Sequence, residues 1–472
     1  MKKLTRTISG VTPVAVMSRP APCPGQCVYC PDFKNTPRSY TPHSPAVIRA
    51  ATCGYDAAEQ VKLRLHILSK MEHPTDKIEL IVMGGTFLAT PAGYQESFIK
   101  DCFDALNSTI SETLEQAQQI NETASHRAVG LCIETRPDIC GEEEIARMVG
   151  WGVTRVELGV QTLDDDVYRI VNRGHTAADV ASATARLRRS GLKVHYHWMP
   201  GLPGSTPGND LALTRELFDN PAYRPDGLKI YPTMVVDNTE LQRWHLDGRY
   251  TPYPDEVMTD LIAEMKRLVP PYVRISRVLR DIPAEYITGG LKNSLRDGVQ
   301  QRLSEQGASC LCIRCRELGH RQRRSLKSGL PSQRRLDYEA SGGREIFLSF
   351  EDDNGTLYGL LRLRIQQGGP ALFDGIGTSA MIRELHVYGQ ELEIGKRDYA
   401  SAQHRGFGRE LVREAERIAR DEFNSPVIIV LSGVGARAYY RDQGYGLESG
   451  YMVKLLKPLV TGVSIDKRVN LS

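Results

Sequence analysis

The chain has 472 residues, with 60 Lys and Arg against 57 Asp and Glu, a formal net charge of +3 and 10 cysteines. One hydrophobic core stops growing near ~250–300 residues, so two or three domains are expected, and the near-neutral balance excludes a uniformly basic nucleic-acid binder. No stretch approaches the ~20 apolar residues of a membrane helix, the N-terminal MKKLTRTISGVTPVAVM lacks a continuous apolar run, and the tight cysteine groups point to metal rather than a secreted disulfide framework, so a cytoplasmic protein is expected.

The first strand signal is VAVM at residue 14, followed by IELIVM at 78, VGLCIE at 129, RVELGV at 155, KVHYHWM at 193, GLKIYP at 227 and RISRVL at 274. Helical periods fill the intervals, among them 56–70, 142–151, 179–190 and 255–269. This alternation predicts a parallel sheet with crossover helices, either a barrel or a doubly wound sheet, with functional residues in the loops after the strands. The pattern stops after Asp281. Residues 310–335 hold eight Lys or Arg against the single acid Glu317, which reads as a linker or a small metal-stapled module. From Glu345 a different pattern begins: a hairpin turning at Asp353-Asn354-Gly355, a strand in IRELHVYG, a helix over 408–420, and closing strands in PVIIVLSGV and YMVKLL. The expected domains are 1–281, 282–343 and 344–460, the last a separate α+β unit.

Three cysteines, Cys23, Cys27 and Cys30, stand in C-x3-C-x2-C spacing within a Pro/Gly-rich loop directly after the first strand. Thiolates on so short a loop can wrap an iron–sulfur cube, and three ligands leave one iron open to the amino and carboxylate groups of S-adenosylmethionine. A zinc knuckle is the alternative, and it needs a fourth ligand, for which His43 is the nearest candidate. Cys53, Cys102, Cys132 and Cys140 sit singly in apolar or helical surroundings and read as core thiols.

Further along, Gln403, Gly406 and Gly408 form Q-x-x-G-x-G ahead of an amphipathic helix, a spacing that lets backbone amides and the helix dipole meet a pyrophosphate. Cys310, Cys312 and Cys315, with His320 as fourth ligand, have the make-up of a structural zinc site; free surface thiols are the alternative. Around them Arg314, Arg316, Arg321, Arg323, Arg324, Lys327, Arg334 and Arg335 form a basic belt suited to phosphate contacts, or a solvated linker.

The cysteine motif resembles that of radical S-adenosylmethionine enzymes. The longer strings MGGTF, IETRPD, ELGVQTLDDDVYRIVNRGHT, DGLKIYPT and RELHVYG, spread from about Ser9 to Lys457, are similar to the Elongator catalytic-subunit family of tRNA-modifying, acetyltransferase-like proteins. The resemblance implies a partial (β/α) barrel followed by a GNAT-like acetyl-CoA-binding domain, a [4Fe-4S] cluster, S-adenosylmethionine and acetyl-CoA as cofactors, and the anticodon stem-loop of tRNA as partner; homodimer or larger assembly stays open. It carries contacts with the methionine part of the cofactor onto Gly84 and Gly85, ribose and carboxylate contacts onto Glu134 and Arg136, and the same cavity's wall onto Gln161 and Arg173. From the residues alone, the glycine pair reads as a turn and the other four as strand-end salt bridges or caps. Acetyl-CoA contacts fall on Glu384, Leu385, His386, Val387, Phe407, Gly408, Arg409, Tyr440 and Lys77, with Tyr440 and Lys77 carrying the donor-side chemistry. The implied reaction takes a hydrogen from the acetyl methyl group, adds the carbon to C5 of wobble uridine 34, and hydrolyses the thioester to leave a carboxymethyl group. A protein lysine acetyltransferase with Glu384 as base is the rival, and three intact cluster cysteines would have no purpose in it.

Overall fold

The structure is a computed structural model and describes residues 7, 9–291, 295–323, 329–370, 377–388 and 406–458; Gln403, Arg324 and Lys327 lie outside the described residues. The first sheet contains β1 (Thr12–Met17), β2 (Lys77–Met83), β3 (Arg127–Thr135), β4 (Arg155–Gln161), β5 (Lys193–Trp198), β6 (Gly227–Ile230) and, after the short β7 (Val235–Val236), β8 (Arg274–Val278). All neighbours are parallel and the spatial order is the chain order. An order without reversal has no switch point, so every right-handed crossover lands on the same face and the sheet curls into a half-barrel. This decides between the two architectures that the sequence left open.

The crossover helices start where the sequence provides caps. Asp56, Thr176 and Thr206 accept hydrogen bonds from the amides of Glu59, Asp179 and Asn209, and each helix then lays an apolar stripe on the sheet, as Val180, Ala183 and Leu187 do. Strand β2 explains the rest of the architecture. Ile78, Leu80 and Val82 are buried beneath helices, whereas Lys77, Glu79, Ile81 and Met83 turn to the concave side and stay partly accessible. The barrel therefore has a polar lumen instead of a filled core.

Strand β9 (Ile287–Gly289) pairs antiparallel with β7. The second sheet is formed by β10 (Ser332–Ala340), β11 (Gly343–Glu351), β12 (Leu357–Gln367), β13 (Thr378–Val387), β14 (Val427–Val430), β15 (Gly446–Glu448) and β16 (Tyr451–Leu455), in the order β10-β11-β12-β13-β14-β16-β15. The expected hairpin turn lies between β11 and β12. The helix expected over 408–420 spans Phe407–Arg417, with a wider turn to Glu422. Strands β13 and β14 are parallel and paired only where Ala380–Ile382 meets Ile428–Val430. Beyond that point they part, and among the described residues no strand pairs with 384–386 on that side.

The boundary expected at 344 falls inside a hairpin, because β10 already pairs with β11 from Ser332 onward. Its sequence, SQRRLDYEA, reads as linker because it is an edge strand with few apolar residues. Nor is the segment before it loose. Ile313 N donates to Val273 O at 2.9 Å and Arg316 Nη2 to Pro271 O at 2.7 Å, which fastens it to the barrel.

The two sheets are joined by a buried ionic network. Asp226, just ahead of β6, takes Arg383 Nη2 at 2.7 Å and Nη1 at 2.9 Å, while Glu345 takes Arg383 at 2.9 Å, Arg364 at 2.9 Å and Arg188 at 3.1 Å. Arg188 and Asp226 belong to the barrel, the others to the second domain, and all are essentially inaccessible to solvent. Beside this network Gly433 sits against β3 so closely that a Cβ would overlap the Val129 carbonyl. Among the described residues no helix is long and apolar enough to cross a membrane.

Candidate active site

The cysteine loop rests on the C-terminal ends of the barrel strands. Arg173 Nη1 donates to Cys27 Sγ at 3.3 Å, its Nε contacts His175 at 2.9 Å, and its Nη2 reaches the Gly159 carbonyl. Burial alone would raise the Cys27 thiol, but the charge and hydrogen bond of Arg173 bring it below its ordinary value. Cys30 is pushed up to about 11 by burial and by Cys27. Arg173 thus favours the ionised form of Cys27, whereas burial disfavours that of Cys30.

The second, third and fourth strands present the expected cofactor contacts at the same end. Gly84 and Gly85 have φ of 130° and 72°, backbone that an L side chain rarely adopts. Glu134 accepts from Tyr40 OH at 2.9 Å and from Lys229 Nζ at 3.1 Å. Arg136 holds Asp138 at 2.9 Å and the Arg173 carbonyl at 2.8 Å, and its Nη1 is buried without a partner. Gln161, with φ of 76°, likewise has a buried, unpartnered Oε1. Orphaned donors and acceptors around three thiols fit a polar cofactor carrying an amino, a carboxylate and a ribose group. Cys23, Cys27 and Cys30 would hold the cluster, and Glu134, Arg136, Gln161 and Arg173 the molecule on its open iron.

At the other end of the barrel lies the helix start for which acetyl-CoA contacts are expected. Lys77 opens β2 and Gly84 follows it, so the two residues stand about 23 Å apart at ~3.3 Å per residue. Gly406, at φ 82°, turns the chain into the helix beginning at Phe407, so that the first amides face the space beside β13. Phe407 stacks on Phe350 at 4.5 Å. Tyr440 is 5% exposed and edge-on to Tyr439 at 5.3 Å; burial holds its phenol well above the ordinary range and keeps it protonated. His386 donates through Nε2 to the Ser9 carbonyl at 2.7 Å, a direction fixed because a carbonyl only accepts. Glu384 lies between Lys193 at 3.1 Å and Arg362 at 2.7 Å; burial would raise its carboxyl, but the two cations hold it well below the usual carboxylate range.

A single cavity of 1410 Å³ connects the ends through the lumen, touching Cys23, Cys27 and Cys30 at one extreme and Gly408, Arg409 and Tyr440 at the other. It also touches Lys77, Leu385 and Val387. Among the described lining residues fourteen are Arg or Lys and six are Asp or Glu, so the chamber attracts anions. Its floor is a chain of charges that sequence reasoning missed. Glu157 meets Lys229, His197 at 3.1 Å and Arg155 at 3.4 Å, and Arg155 also reaches Glu79. The signal was available: strands buried on both faces read as continuous apolar runs, and IELIVM, RVELGV, KVHYHWM and GLKIYP each carry a charged or imidazole residue in mid-run.

The radical SAM superfamily model matches residues 21–216, and the Radical_SAM C-terminal domain model matches 225–305. The tRNA uridine(34) acetyltransferase of Dehalococcoides mccartyi (strain CBDB1) is 64% identical over 97% of this chain and all of its own length. The chain belongs to the tRNA uridine(34) acetyltransferase and Elongator complex protein 3 family. The Homo sapiens Elongator complex protein 3 is 42% identical over 96% of this chain and 86% of its own length. The solved structure of the archaeal Methanocaldococcus infernus Elp3 with an N-terminal deletion superposes with a TM-score of 0.84 at 44% identity, covering 95% of this chain and 100% of that one.

Within this Elongator-family fold, the second cysteine group is compact. The sulfurs of Cys310, Cys312 and Cys315 lie within 4.8 Å of one another, Cys310 and Cys312 are buried, and hydrogen bonding among the three, with burial, drives the Cys310 thiol far up. Three sulfurs this close would, once deprotonated, suit a single soft ion such as zinc. His320 does not join them: its Nε2 is at 3.0 Å from Glu317, which also pairs with Arg274 at 2.8 Å. The belt is thinner than the sequence implies. Arg316 is 6% exposed, bonded to Leu311 O at 2.8 Å and paired with Glu351 at 2.7 Å, so it belongs to the core and not to a binding surface. Arg335 is engaged by Asp337 at 2.7 Å and Glu422 at 2.8 Å, and Arg334 stands 3.5 Å from Asp353. Arg314 lines the chamber. Arg321 and Arg323 sit on the short helix Leu318–Arg323, Arg323 exposed at its end.

Proposed function

We propose that the chain modifies wobble uridine 34 of tRNA, drawing its carbon unit from acetyl-CoA by radical chemistry. The observation that carries this reading is the single, cation-lined chamber running from the cluster loop to the donor cradle. Simple acyl transfer needs no such connection, and a radical enzyme working on one small molecule needs no second cradle. When bound, a cluster on Cys23, Cys27 and Cys30 supplies an electron to S-adenosylmethionine, and so the radical that takes a hydrogen from the acetyl methyl group.

The protein's own residues supply the surroundings of that step. The backbone of 384–386, past the end of the β13–β14 pairing, would meet a pantetheine arm, the helix start at Phe407 would face a pyrophosphate, and Lys77 places a cation at the lumen's lower end. Tyr440, kept protonated, can donate to the thioester sulfur as it leaves. Arg321 and Arg323, on the short helix next to the Cys310, Cys312 and Cys315 group that zinc would staple, fit a surface that grips RNA phosphates.

Glu384 argues against the lysine acetyltransferase reading. A carboxylate held far below its ordinary range by Lys193 and Arg362 is a poor general base for an amine. Anaerobic reconstitution with iron and sulfide, followed by nucleoside analysis of tRNA incubated with S-adenosylmethionine and acetyl-CoA, tests the proposal. Carboxymethylated uridine is expected; acetylated lysine on a peptide with unmodified tRNA overturns it.

A further inference from the structure

Two segments meet at the cluster end of the chamber, across the side where β1 and β8 leave the half-barrel open. One is the loop that follows Cys30; the other follows β8. Arg280 Nη2 donates to Ser39 Oγ at 2.8 Å, and Ser39, Tyr40, Ser44, Arg280, Asp281 and Ile282 all line the chamber. Just outside them Tyr286 is edge-on to Phe33 at 5.4 Å and to His43 at 5.5 Å. His43 and Glu285 are paired and exposed, Phe33 and Tyr286 are half-buried, and nearby stand exposed Lys34, Arg38 paired with Asp32 and, at the end of β8, Arg277 paired with Asp281.

This cluster has a poor structural explanation. Only Tyr286 among the three rings packs on an apolar group, the small set of Met234, Val236 and Ile287. The catalytic and donor residues described above make no use of it. Aromatic rings interleaved with cations are what unpaired nucleotides bind to, because every base has a π face and every nucleotide a phosphate.

Resting on the tRNA reading above, we infer that Phe33, His43 and Tyr286 form a stacking platform for the unpaired nucleotide beside the target uridine. A base drawn into the chamber leaves its neighbour without a stacking partner, and an enzyme that works on extracted bases must offset that loss. The platform stands where the neighbour is left behind. It also separates two tasks: Arg321 and Arg323 attract any RNA, whereas the platform holds the single-stranded loop at the chamber's opening.

The test uses the full-length chain and an anticodon stem-loop carrying 2-aminopurine next to uridine 34. Wild-type protein should quench the probe on binding. Tyr286→Leu keeps the packing on Met234, Val236 and Ile287 but removes the ring; it should lose most of the quenching and bind about tenfold more weakly, with an unchanged salt slope. Tyr286→Phe should behave as wild type. The inference fails if Tyr286→Leu quenches and binds normally, or if Tyr286→Phe is as weak as the leucine variant, since then the ring face is not what matters. A stem-loop that wild-type protein does not bind at all sinks the tRNA reading itself, and this inference with it. Melting temperatures of both variants separate lost stacking from a loosened loop.

Discussion

Asp226→Asn is the sharpest probe of how the two domains are held. The carboxylate accepts two bonds from Arg383, one from the Val194 amide at 2.9 Å, and lies 3.5 Å from Arg362 and 3.7 Å from Arg188, all without access to water. Asparagine keeps one acceptor but replaces the other with an NH2 that faces guanidinium donors, so three arginines lose a shared counter-charge. Breaking a buried pair by removing one partner costs about 3–5 kcal/mol, and this site belongs at the upper end because several bonds are lost together. Urea titration should therefore show a destabilisation of about 4 kcal/mol, with hydrogen exchange rising first along β6, β12 and β13. Burial would raise the Asp226 carboxyl, but Arg383 and its companions hold it well below its ordinary value. Its contribution is thus present above the unfolded value of ~3.9 and lost as pH falls through the folded one, so the gap between variant and wild type should be constant from pH 5 to 8 and shrink only in strong acid. A variant within about 1 kcal/mol of wild type, with unchanged exchange at the interface, would refute the claim that this network fastens the domains.

Changing Cys23, Cys27 or Cys30 to Ala should abolish the visible absorbance of a reconstituted cluster and all deoxyadenosine formation, while tRNA affinity measured by filter binding stays near wild type. Metal analysis should find zinc with the wild-type protein and none with Cys312→Ser, whose melting temperature should be lower by several degrees, because the three sulfurs lie within one small group. Charge reversal at Arg321 and Arg323 should weaken every tRNA alike and flatten the salt dependence, whereas Arg335→Glu, whose partners are Asp337 and Glu422, should reduce stability and leave the salt slope unchanged. Thioester hydrolysis, followed by thiol release in cluster-free protein, should show no acidic limb between pH 5 and 7 attributable to Glu384, since that carboxylate is already ionised far below this range; a limb that vanishes in Glu384→Gln would restore it as a base.

Much of the barrel was legible because parallel strands announce themselves as apolar runs, and each of the seven runs from VAVM to RISRVL became a strand of the sheet. Strand β10 was not legible. An edge strand exposed along most of its length carries its alternation only at Leu336, Tyr338 and Ala340, behind the charged run SQRR, and its pairing with β11 is what reveals it. The same limit misled the reading of the belt. Arg316 looks like a free cation in sequence, but its partner Glu351 comes from a distant strand, and Arg335 adds distant Glu422 to its neighbour Asp337. Cys27 was recognised as a ligand from its motif alone; that Arg173, 146 residues away, would prime its thiol depended on the sheet bringing them together.

The seat of Gly433 on β3 has a consequence for how such a chain can be altered. Because no side chain fits between that residue and the Val129 carbonyl, the two halves touch backbone to backbone there, and their separation at this point is set by the van der Waals contact of two main chains. A donor domain borrowed from another acetyltransferase would meet β3 with a bulkier turn and stand off by the thickness of a methyl group, tilting its cradle away from the lumen. Grafting a different acyl specificity onto this scaffold therefore means transplanting the lining of the cradle while keeping the Gly433 turn, since the register between the halves is a property of that turn.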